Sequence, residues 1–443
     1  MSRKVLIVTY YWPPSGGPGV QRYLKFARYL PEFGIEPVVL TVENPTYPTR
    51  DPTLAREIPT DLKIYSTRTV EPFGLYAGLS GKKAESIKPT VELKGRTFKS
   101  RVGSWIRANI FIPDARAGWL LTARGKADEL VLKHSIETVI TTGPPHSVHF
   151  VGKYMKTRQG LRWLADFRDP WSSIHYNQLL PRTRLAERVD ETLEKSILQL
   201  ADEVIVVSRK QAEEFGKIYD RTYRVITNGF DPGDFKVVET EMARDRSTPS
   251  GPNKPLLVRH VGSIGEASIP EALLKALKDH ITPGSVRLEF VGEVHSKLPG
   301  LVEKMGLTDH VAFEGYQPHQ KALQRMCDAD ALLLSIPNVD EALNIIPGKL
   351  FEYLASGRPI LLIGPNDGES ARIIREEEAG LVAPFGDAAA VAQALEALIE
   401  GKVQPRPIVT QKDHPYSRHT LTRQLAQLIS GESIRSAVTS RTS

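Results

Sequence analysis

Two doubly wound α/β domains in tandem are what this sequence predicts, and three observations predict them. Short apolar runs rich in β-branched residues alternate with helical stretches along the chain, which is the pattern of parallel sheets covered by helices. The alternation occurs twice, on either side of a polar, turn-rich stretch with no periodicity. The length of 443 residues, 41% hydrophobic and 25% charged, suits a globular chain with room for two cores.

In the first half the expected strands are VLIVTY, PVVLTV, LKIYST, TVITTG, RWLADF, EVIVVS and RVITNG. Between the fifth and sixth of these runs, Leu185, Val189, Leu193, Ile197 and Leu200 keep an apolar stripe at helical spacing. Ser208 with Gln211 reads as a capping box for the next helix. The first domain is expected over 1–235, and KVVETEMARDRSTPSGPNKP, residues 236–255, as the linker.

The second half repeats the pattern with LLVRHVG, RLEFVG, VAFEGY, ALLLSI, PILLIG and GLVAPF, giving a second domain over 256–410. The two domains are expected to face one another across a cleft. The helix carrying Leu421, Leu425, Leu428 and Ile429 has no strand to lead into, so residues 416–431 are expected to pack back on the first domain. A disordered tail is expected over 432–443.

No segment reaches the roughly 18 to 20 apolar residues that cross a bilayer. The opening apolar run is short and ends in Pro-Pro rather than at a small-residue cleavage site, so a secretory signal is not expected. The single cysteine, Cys327, excludes an intramolecular disulfide and a cysteine-based metal cluster. A cytoplasmic protein is expected. Eight basic residues between Lys82 and Arg107 stand against Glu85 and Glu92, a local excess equal to the whole net charge of +6. Phe98, Val102, Trp105, Ile106, Ile110 and Phe111 are interleaved with them. The segment reads either as a surface for an anionic membrane or as a solvated helix whose apolar stripe packs on its own domain.

Ligands of open α/β sheets sit beyond the carboxyl ends of the strands. This makes YYWPPSGGPGVQR, just after the first strand, a candidate ligand loop. Gly16, Gly17 and Gly19 let backbone approach a bulky group, and the prolines restrict the loop. An ordinary surface turn is the other reading. A dinucleotide fingerprint fits poorly, because Arg22 stands where its third glycine belongs.

NIIPGKLFEYLASGRPILLIG, residues 344 to 364, says more. Pro347 suits a first helical position, and Gly357 with Pro359 suits a helix end, so a helix is expected from Pro347 to Ser356. Its start has two local faults. Ile346 cannot cap the orphan amides, and Lys349 places a cation at the positive end of the helix dipole. Both faults vanish if an anion such as phosphate docks there. Glu352 shares that helical face with Lys349 and Gly348, where it could accept hydrogen bonds from a ribose diol. A solvated Lys-Glu pair is the alternative.

At this point the chain resembles a GT-B glycosyltransferase of the large retaining group 1 class (family 4), in its bacterial surface-polysaccharide branch. The resemblance rests on the glycine-rich first loop, TGPPHSVHF, ADFRDPW, VSRKQAEEF, VITNGFD, HVGSI, GYQPHQKALQRMCDADALLLSIP and PGKLFEYLASGRPIL in that order. It implies transfer of a sugar from a nucleoside diphosphate, most often UDP, to an acceptor hydroxyl with retention. The acceptor is implied to be a sugar or a lipid-linked acceptor, in cell-surface polysaccharide or glycolipid synthesis. Glu352 matches the class's ribose-binding glutamate, while Asn344 stands where an earlier glutamate approaches the donor sugar. The implied nucleotide and phosphate set is Gly16, Gly17, Gly262, Ser263, Gly348, Lys349, Leu350 and Glu352. Many members carry an arginine and a lysine where this chain has Ser263 and Ile269, and Lys349 would supply the missing charge. His146 and Asp169 are implied on the acceptor side; a backbone-satisfied loop histidine and a structural Asp-Arg pair are the other readings.

No metal and no cofactor beyond the nucleotide sugar are expected, since Asp328-Ala-Asp330 leads into ALLLSI and reads as a helix end. A nucleic-acid partner is not expected. A sugar-nucleotide epimerase and a non-catalytic nucleotide-sugar-binding protein are the alternatives.

Overall fold

The computed structural model describes residues 3–45, 50–69, 98–172, 180–244 and 254–432. The chain divides into two units, Met1–Asn228 with Arg418–Ser443, and Gly229–Ser417.

In the first unit the chain runs β1 (Arg3–Thr9), α1 (Pro18–Tyr29), β2 (Ile35–Val42), β3 (Lys63–Thr67), α2 (Phe98–Asn109), α3 (Leu120–His134), β4 (Thr138–Gly143), α4 (His149–Gln159) and β5 (Arg162–Phe167). It continues through α5 (Arg184–Leu200), β6 (Glu203–Val206), α6 (Arg209–Ile218) and β7 (Arg224–Val225). The strands form one parallel sheet in the order β3-β2-β1-β4-β5-β6-β7, so all seven expected runs are strands. The order reverses direction between β1 and β4.

The second unit runs α7 (Pro232–Arg244), β8 (Leu256–Val261), α8 (Glu271–Asp279), β9 (Val286–Val291), α9 (Lys297–Lys304), β10 (Val311–Gly315), α10 (His319–Cys327) and β11 (Ala331–Ser335). Then come α11 (Lys349–Ser356), β12 (Ile360–Ile363), α12 (Glu369–Glu376), β13 (Gly380–Ala383) and α13 (Ala388–Ile399). Its six strands are also parallel, in the order β10-β9-β8-β11-β12-β13, with the reversal between β8 and β11. A last helix, α14 (Arg418–Ser430), belongs to the first unit. There Leu421, Leu425, Leu428 and Ile429 pack with Val20, Leu24 and Ala27 of α1.

Each sheet is buried on both faces, which is why its strands read as continuous apolar runs. In the first unit one face lies under α3, α4, α5 and α6, the other under α1 and α14. In the second, α8, α9 and α13 cover one face and α7, α10, α11 and α12 the other.

One expectation needs correction. The supposed linker is helical at its start: Phe235, Val238 and Met242 of α7 recur at helical spacing and join the second unit's core, among polar residues that masked the period. Residues 245–253 lie outside the described residues, as do 433–443, where a tail was expected. The helix α5 departs from its own apolar pattern. Its apolar stripe does not face inward throughout: Leu185 is 73% exposed and Val189 39%. The buried face is Ala186, Asp190, Glu194, Ile197 and Leu198, and its two carboxylates hold the chain after β5 through Trp171, Ser172 and Arg182.

Arg22, which occupies the place of a third fingerprint glycine, is fully buried. Its Nη2 donates to Asp166 Oδ1 at 3.0 Å and to the Ile226 carbonyl at 2.9 Å, and its Nη1 donates to the Thr227 carbonyl. Thr142 Oγ1 donates to the other Asp166 oxygen at 3.0 Å. The pair thus ties α1 to β4, β5 and the strand-like end of the unit. Removing one partner leaves a buried charge unpaired, so Asp166→Ala is expected to lower unfolding free energy by about 3–5 kcal/mol. Denaturant titration of wild type and variant measures this, and a loss below about 1 kcal/mol, the range of exposed pairs, would show the pair to be dispensable.

Candidate functional site

Both reversals of strand order are places where loops diverge and leave room for a ligand. In the second unit the ladder between β8 and β11 stops at Leu332↔Arg259. Beyond it the strands are bridged by side chains. The Tyr353 hydroxyl, on α11, accepts from the Val261 amide at 2.8 Å and donates to the Val261 carbonyl at 3.2 Å. His260 Nδ1 lies 3.0 Å from the Leu333 carbonyl. A carbonyl only accepts, so Nδ1 carries the proton and Nε2 keeps its lone pair. Lys349 Nζ donates to that Nε2 at 3.0 Å and to the Ser263 carbonyl at 3.3 Å.

His260 is fully buried, and burial, followed by the Lys349 charge, holds it well below the usual imidazole range; it is neutral. Burial also pulls Lys349 down to about 8, against the opposing charge of Glu352. An ammonium has three hydrogens, and two have partners among the described residues. Gly262, directly below, has φ +120, a left-handed conformation. A Cβ there would stand 2.9 Å from Lys349 Nζ, so glycine serves both the turn and the approach of the lysine.

The helix α11 starts at Lys349, two residues later than expected, because Pro347 and Gly348 form a turn in which the Leu350 amide donates to the Pro347 carbonyl at 3.0 Å. Its N-cap is Gly348, which offers no side-chain acceptor. The cap remains deficient for a different reason than the one anticipated at Ile346. Leu350 is buried, and Glu352 is half-buried one turn along. Asn344 ends a 3-10 turn, Ala342–Asn344, that precedes the helix. Thus Gly262, Ser263, Lys349 and the first turn of α11 are joined by direct contacts, and Glu352 shares the helix.

Ile269 packs at the edge of the core. Asp328 pairs with Arg259, and Asp330 Oδ2 accepts from the Leu257 amide at 2.8 Å, so both carboxylates of the Asp-x-Asp stretch hold the sheet.

In the first unit, Gly16 and Gly17 end the loop after β1, and Gly17 is the N-cap of α1 with φ +104 and no side-chain cap. Its conformation requires glycine. Arg168, after β5, donates to the Gly143 carbonyl at 3.0 Å and the Pro144 carbonyl at 2.6 Å. Its guanidinium occupies the space where Gly19 would carry a Cβ. Asp169 next to it is exposed. His146 is not at the surface: it is 5% exposed and stacks on Trp171 at 5.1 Å and 4° between planes. Burial, with the Arg168 charge, takes it down to about 3.

Sequence reasoning missed the anchors beneath this loop. Trp171 Nε1 donates to Asp190 Oδ1 at 2.6 Å, Arg182 pairs with Asp190 Oδ2 at 2.7 Å, and Ser172 donates to Glu194. Asp190 and Glu194 four residues apart on one helical face were the available signal.

Residues 257–401 match the family model of glycosyl transferases group 1. These residues make up most of the second unit. An amylovoran biosynthesis glycosyltransferase, AmsK of Erwinia amylovora, is 27% identical over 143 residues, 31% of this chain and 35% of the relative. The chain therefore spans about a third of the length of that curated relative. Sucrose-phosphate synthase of Thermosynechococcus elongatus has a TM-score of 0.61 at 17% identity, covering 97% of this chain and 98% of its own. HepE of Anabaena, solved with UDP and glucose, has a TM-score of 0.61 at 16% identity, with 97% and 99% covered. The fold is GT-B.

One consequence can be measured without substrate. Burial, helped by the nearby Asp190 charge and opposed by the Ser172 hydrogen bonds, pushes Glu194 up to about 7. A carboxyl whose folded value exceeds its unfolded one favours folding while protonated, and this contribution fades as pH rises from about 4.5 through 7. The stability difference between Glu194→Gln and wild type should therefore move in favour of the variant by on the order of 3 kcal/mol between pH 5 and 8. Denaturant midpoints at both pH values read it; a pH-independent difference would mean that Glu194 is ionised throughout.

Proposed function

We propose that this chain transfers a sugar from a nucleoside diphosphate sugar to an acceptor hydroxyl with retention of anomeric configuration, in the synthesis of a surface polysaccharide or glycolipid. The observation that carries the reading is the Lys349 ammonium, held over Gly262 at the uncapped start of α11 with two of its three hydrogens bonded among the described residues. An anion placed there meets the helix-terminal amides and a fixed cation together.

The roles follow from this placement. Lys349 and the backbone amides of Gly348 and Ser263 take the diphosphate, while Gly262 and Leu350, whose amides are given to the Val291 and Pro347 carbonyls, shape the turn and the helix start that hold them; Glu352 accepts from the ribose hydroxyls, and the Asn344 amide bonds a hydroxyl of the donor sugar. In the first unit, Gly16 and Gly17 allow close approach of backbone to a bulky ligand group. As the bond from the anomeric carbon to the phosphate oxygen breaks, the bond to the acceptor oxygen forms on the same face. The acceptor's proton passes to the leaving phosphate, so no protein nucleophile is needed. Catalysis then rests on stabilising the departing diphosphate and on orientation. Asp169, exposed beside Arg168, is the acceptor contact; neutral, buried His146 shapes the loop that carries it.

UDP is the first nucleotide to test, since HepE was solved with UDP, and AmsK's part in amylovoran biosynthesis supports a polysaccharide product. A thermal-shift panel of UDP, GDP, ADP and TDP selects the diphosphate. With that ligand, Lys349→Ala should weaken binding by about 1.5–3 kcal/mol, the range of a charge-assisted hydrogen bond, and leave the nucleoside unaffected. Glu352→Gln should weaken both. Calorimetric titration measures these; equal losses for diphosphate and nucleoside in Lys349→Ala would remove the phosphate assignment. Release of an epimerised sugar from donor alone would replace the transferase reading with an epimerase.

We also propose that the acceptor is lipid-linked and met at an anionic membrane surface. No described helix is long and apolar enough to cross a membrane. Residues 82–97 of the basic segment lie outside the described residues. In α2, however, Val102 and Trp105 are 41% and 46% exposed, so these apolar residues do not pack inward. Each basic residue near an anionic leaflet contributes roughly 1 kcal/mol, screened by salt. Sedimentation with anionic vesicles is expected, declining as salt rises and dropping when Lys94, Arg96, Lys99 and Arg101 become Ser. Absence of sedimentation at low salt would point to a soluble acceptor.

A further inference from the structure

We propose that His260 is a positioning residue for the diphosphate: its Nε2 holds the Lys349 ammonium above Gly262, at the start of α11. The proposal rests on the reading that Lys349 takes the diphosphate. His260 is an odd residue to find inside a parallel strand with no exposure at all. A buried polar ring needs partners on both nitrogens, and these two partners have different consequences.

The Leu333 carbonyl on β11 takes the Nδ1 proton at 3.0 Å, and this fixes both the tautomer and the plane of the ring. With the proton on Nδ1, Nε2 can only accept. It accepts from Lys349 at 3.0 Å, while the Ser263 carbonyl takes a second hydrogen at 3.3 Å. A lysine on its own is a mobile point charge on four methylenes. Held by a rigid ring and a strand-end carbonyl, it loses most of that freedom before any ligand arrives, so less ordering has to be done on binding. Neutrality of the ring is part of the device. A protonated imidazole would donate from Nε2 and repel the ammonium, whereas a carboxylate in its place would neutralise the charge that the diphosphate requires.

The arrangement also sets a pH limit. Lys349 lies down at about 8 by burial, so the unliganded cation is lost above that pH. A hydrogen bond to the charged form favours it; without the Nε2 acceptor, Lys349 should lose its proton at a still lower pH. His260 faces Lys349 on one side. The other charged group acting on the lysine is Glu352, from the same helix, and the groups around the ring on β8, β11 and the loop after β8 are backbone carbonyls.

Calorimetric titration with UDP, or the diphosphate chosen by the panel above, tests this between pH 6.5 and 9.5 with the nucleoside as control. Wild-type affinity for the diphosphate should fall above about pH 8 while nucleoside affinity stays flat. His260→Phe should bind the diphosphate about tenfold more weakly at pH 7.5, the upper range of one net hydrogen bond. Its decline should begin at lower pH, and its nucleoside affinity should be unchanged. His260→Gln, whose amide oxygen can accept from Lys349, should recover part of the loss, and it decides the matter if the Phe variant does not fold. In a Lys349→Met background, His260→Phe should add no further loss, because it acts through the lysine. Losses that multiply in the double variant, or equal losses of diphosphate and nucleoside, would make His260 a packing residue and overturn the proposal. If Lys349→Met alone leaves diphosphate affinity intact, the phosphate role of Lys349 fails first, and that result is separate from anything His260 does.

Discussion

The end of the β8/β11 ladder is the constraint on which the second unit depends. Parallel strands that part company leave amides and carbonyls without ladder partners, and buried backbone groups cannot be left so. Here the Tyr353 hydroxyl takes both groups of Val261, and the His260 ring takes the Leu333 carbonyl. Tyr353 thereby fixes α11 against the strand ends, and His260 fixes the side chain that begins it. What looks like repair of a broken ladder is also the means by which a helix start and a cation are set beside the glycine turn at 262. Gly292 completes the base of this turn: a Cβ there would collide with the Gly262 carbonyl, so the neighbouring strand end must be equally bare.

The first unit solves the corresponding problem with charge. At its own reversal, between β1 and β4, the buried Arg22–Asp166 pair joins the helix after β1 to the strand beside β4. Arg168 lies over Gly19 and returns hydrogen bonds to the carbonyls at the end of β4. One unit thus uses neutral rings and hydroxyls at its strand ends and leaves a cation available; the other consumes its cations internally.

Every one of the strands was legible, because burial on both faces writes itself as an unbroken apolar run. The start of α11 was legible as an anomaly, since a lysine at an uncapped helix start is unfavourable in isolation, although the cap moved from Ile346 to Gly348. Two things were hidden. On α5 the leucines and valines kept a helical period that proved largely exposed at its N-terminal half, while Asp190 and Glu194 took the inner face. Their partners Trp171, Ser172 and Arg182 lie in the irregular stretch before the helix, at no helical spacing from them, and no local pattern announces them. His260 was hidden for the same reason: its meaning comes from a carbonyl 73 residues away and a lysine 89 residues away. A histidine within an apolar strand otherwise reads as a core residue and nothing more.

The path of the chain between the units has a consequence of its own. The chain leaves the first unit after Asn228 and re-enters it at Arg418. Just inside these two points the Phe230 amide donates to the Tyr416 carbonyl at 3.1 Å, with Phe230 and Ser417 in a parallel bridge. The second unit therefore begins and ends at one spot, like an insertion whose two stems are stapled together. It holds all of its own strands and can assemble as soon as residue 417 is available. The first unit cannot finish, because the face of its sheet covered by α1 stays open until α14 arrives from the far side of the insertion. During synthesis the half of the protein that is made first is thus the half that closes last, and its unfinished apolar face is the stretch of surface most in need of protection while the ribosome is still at work.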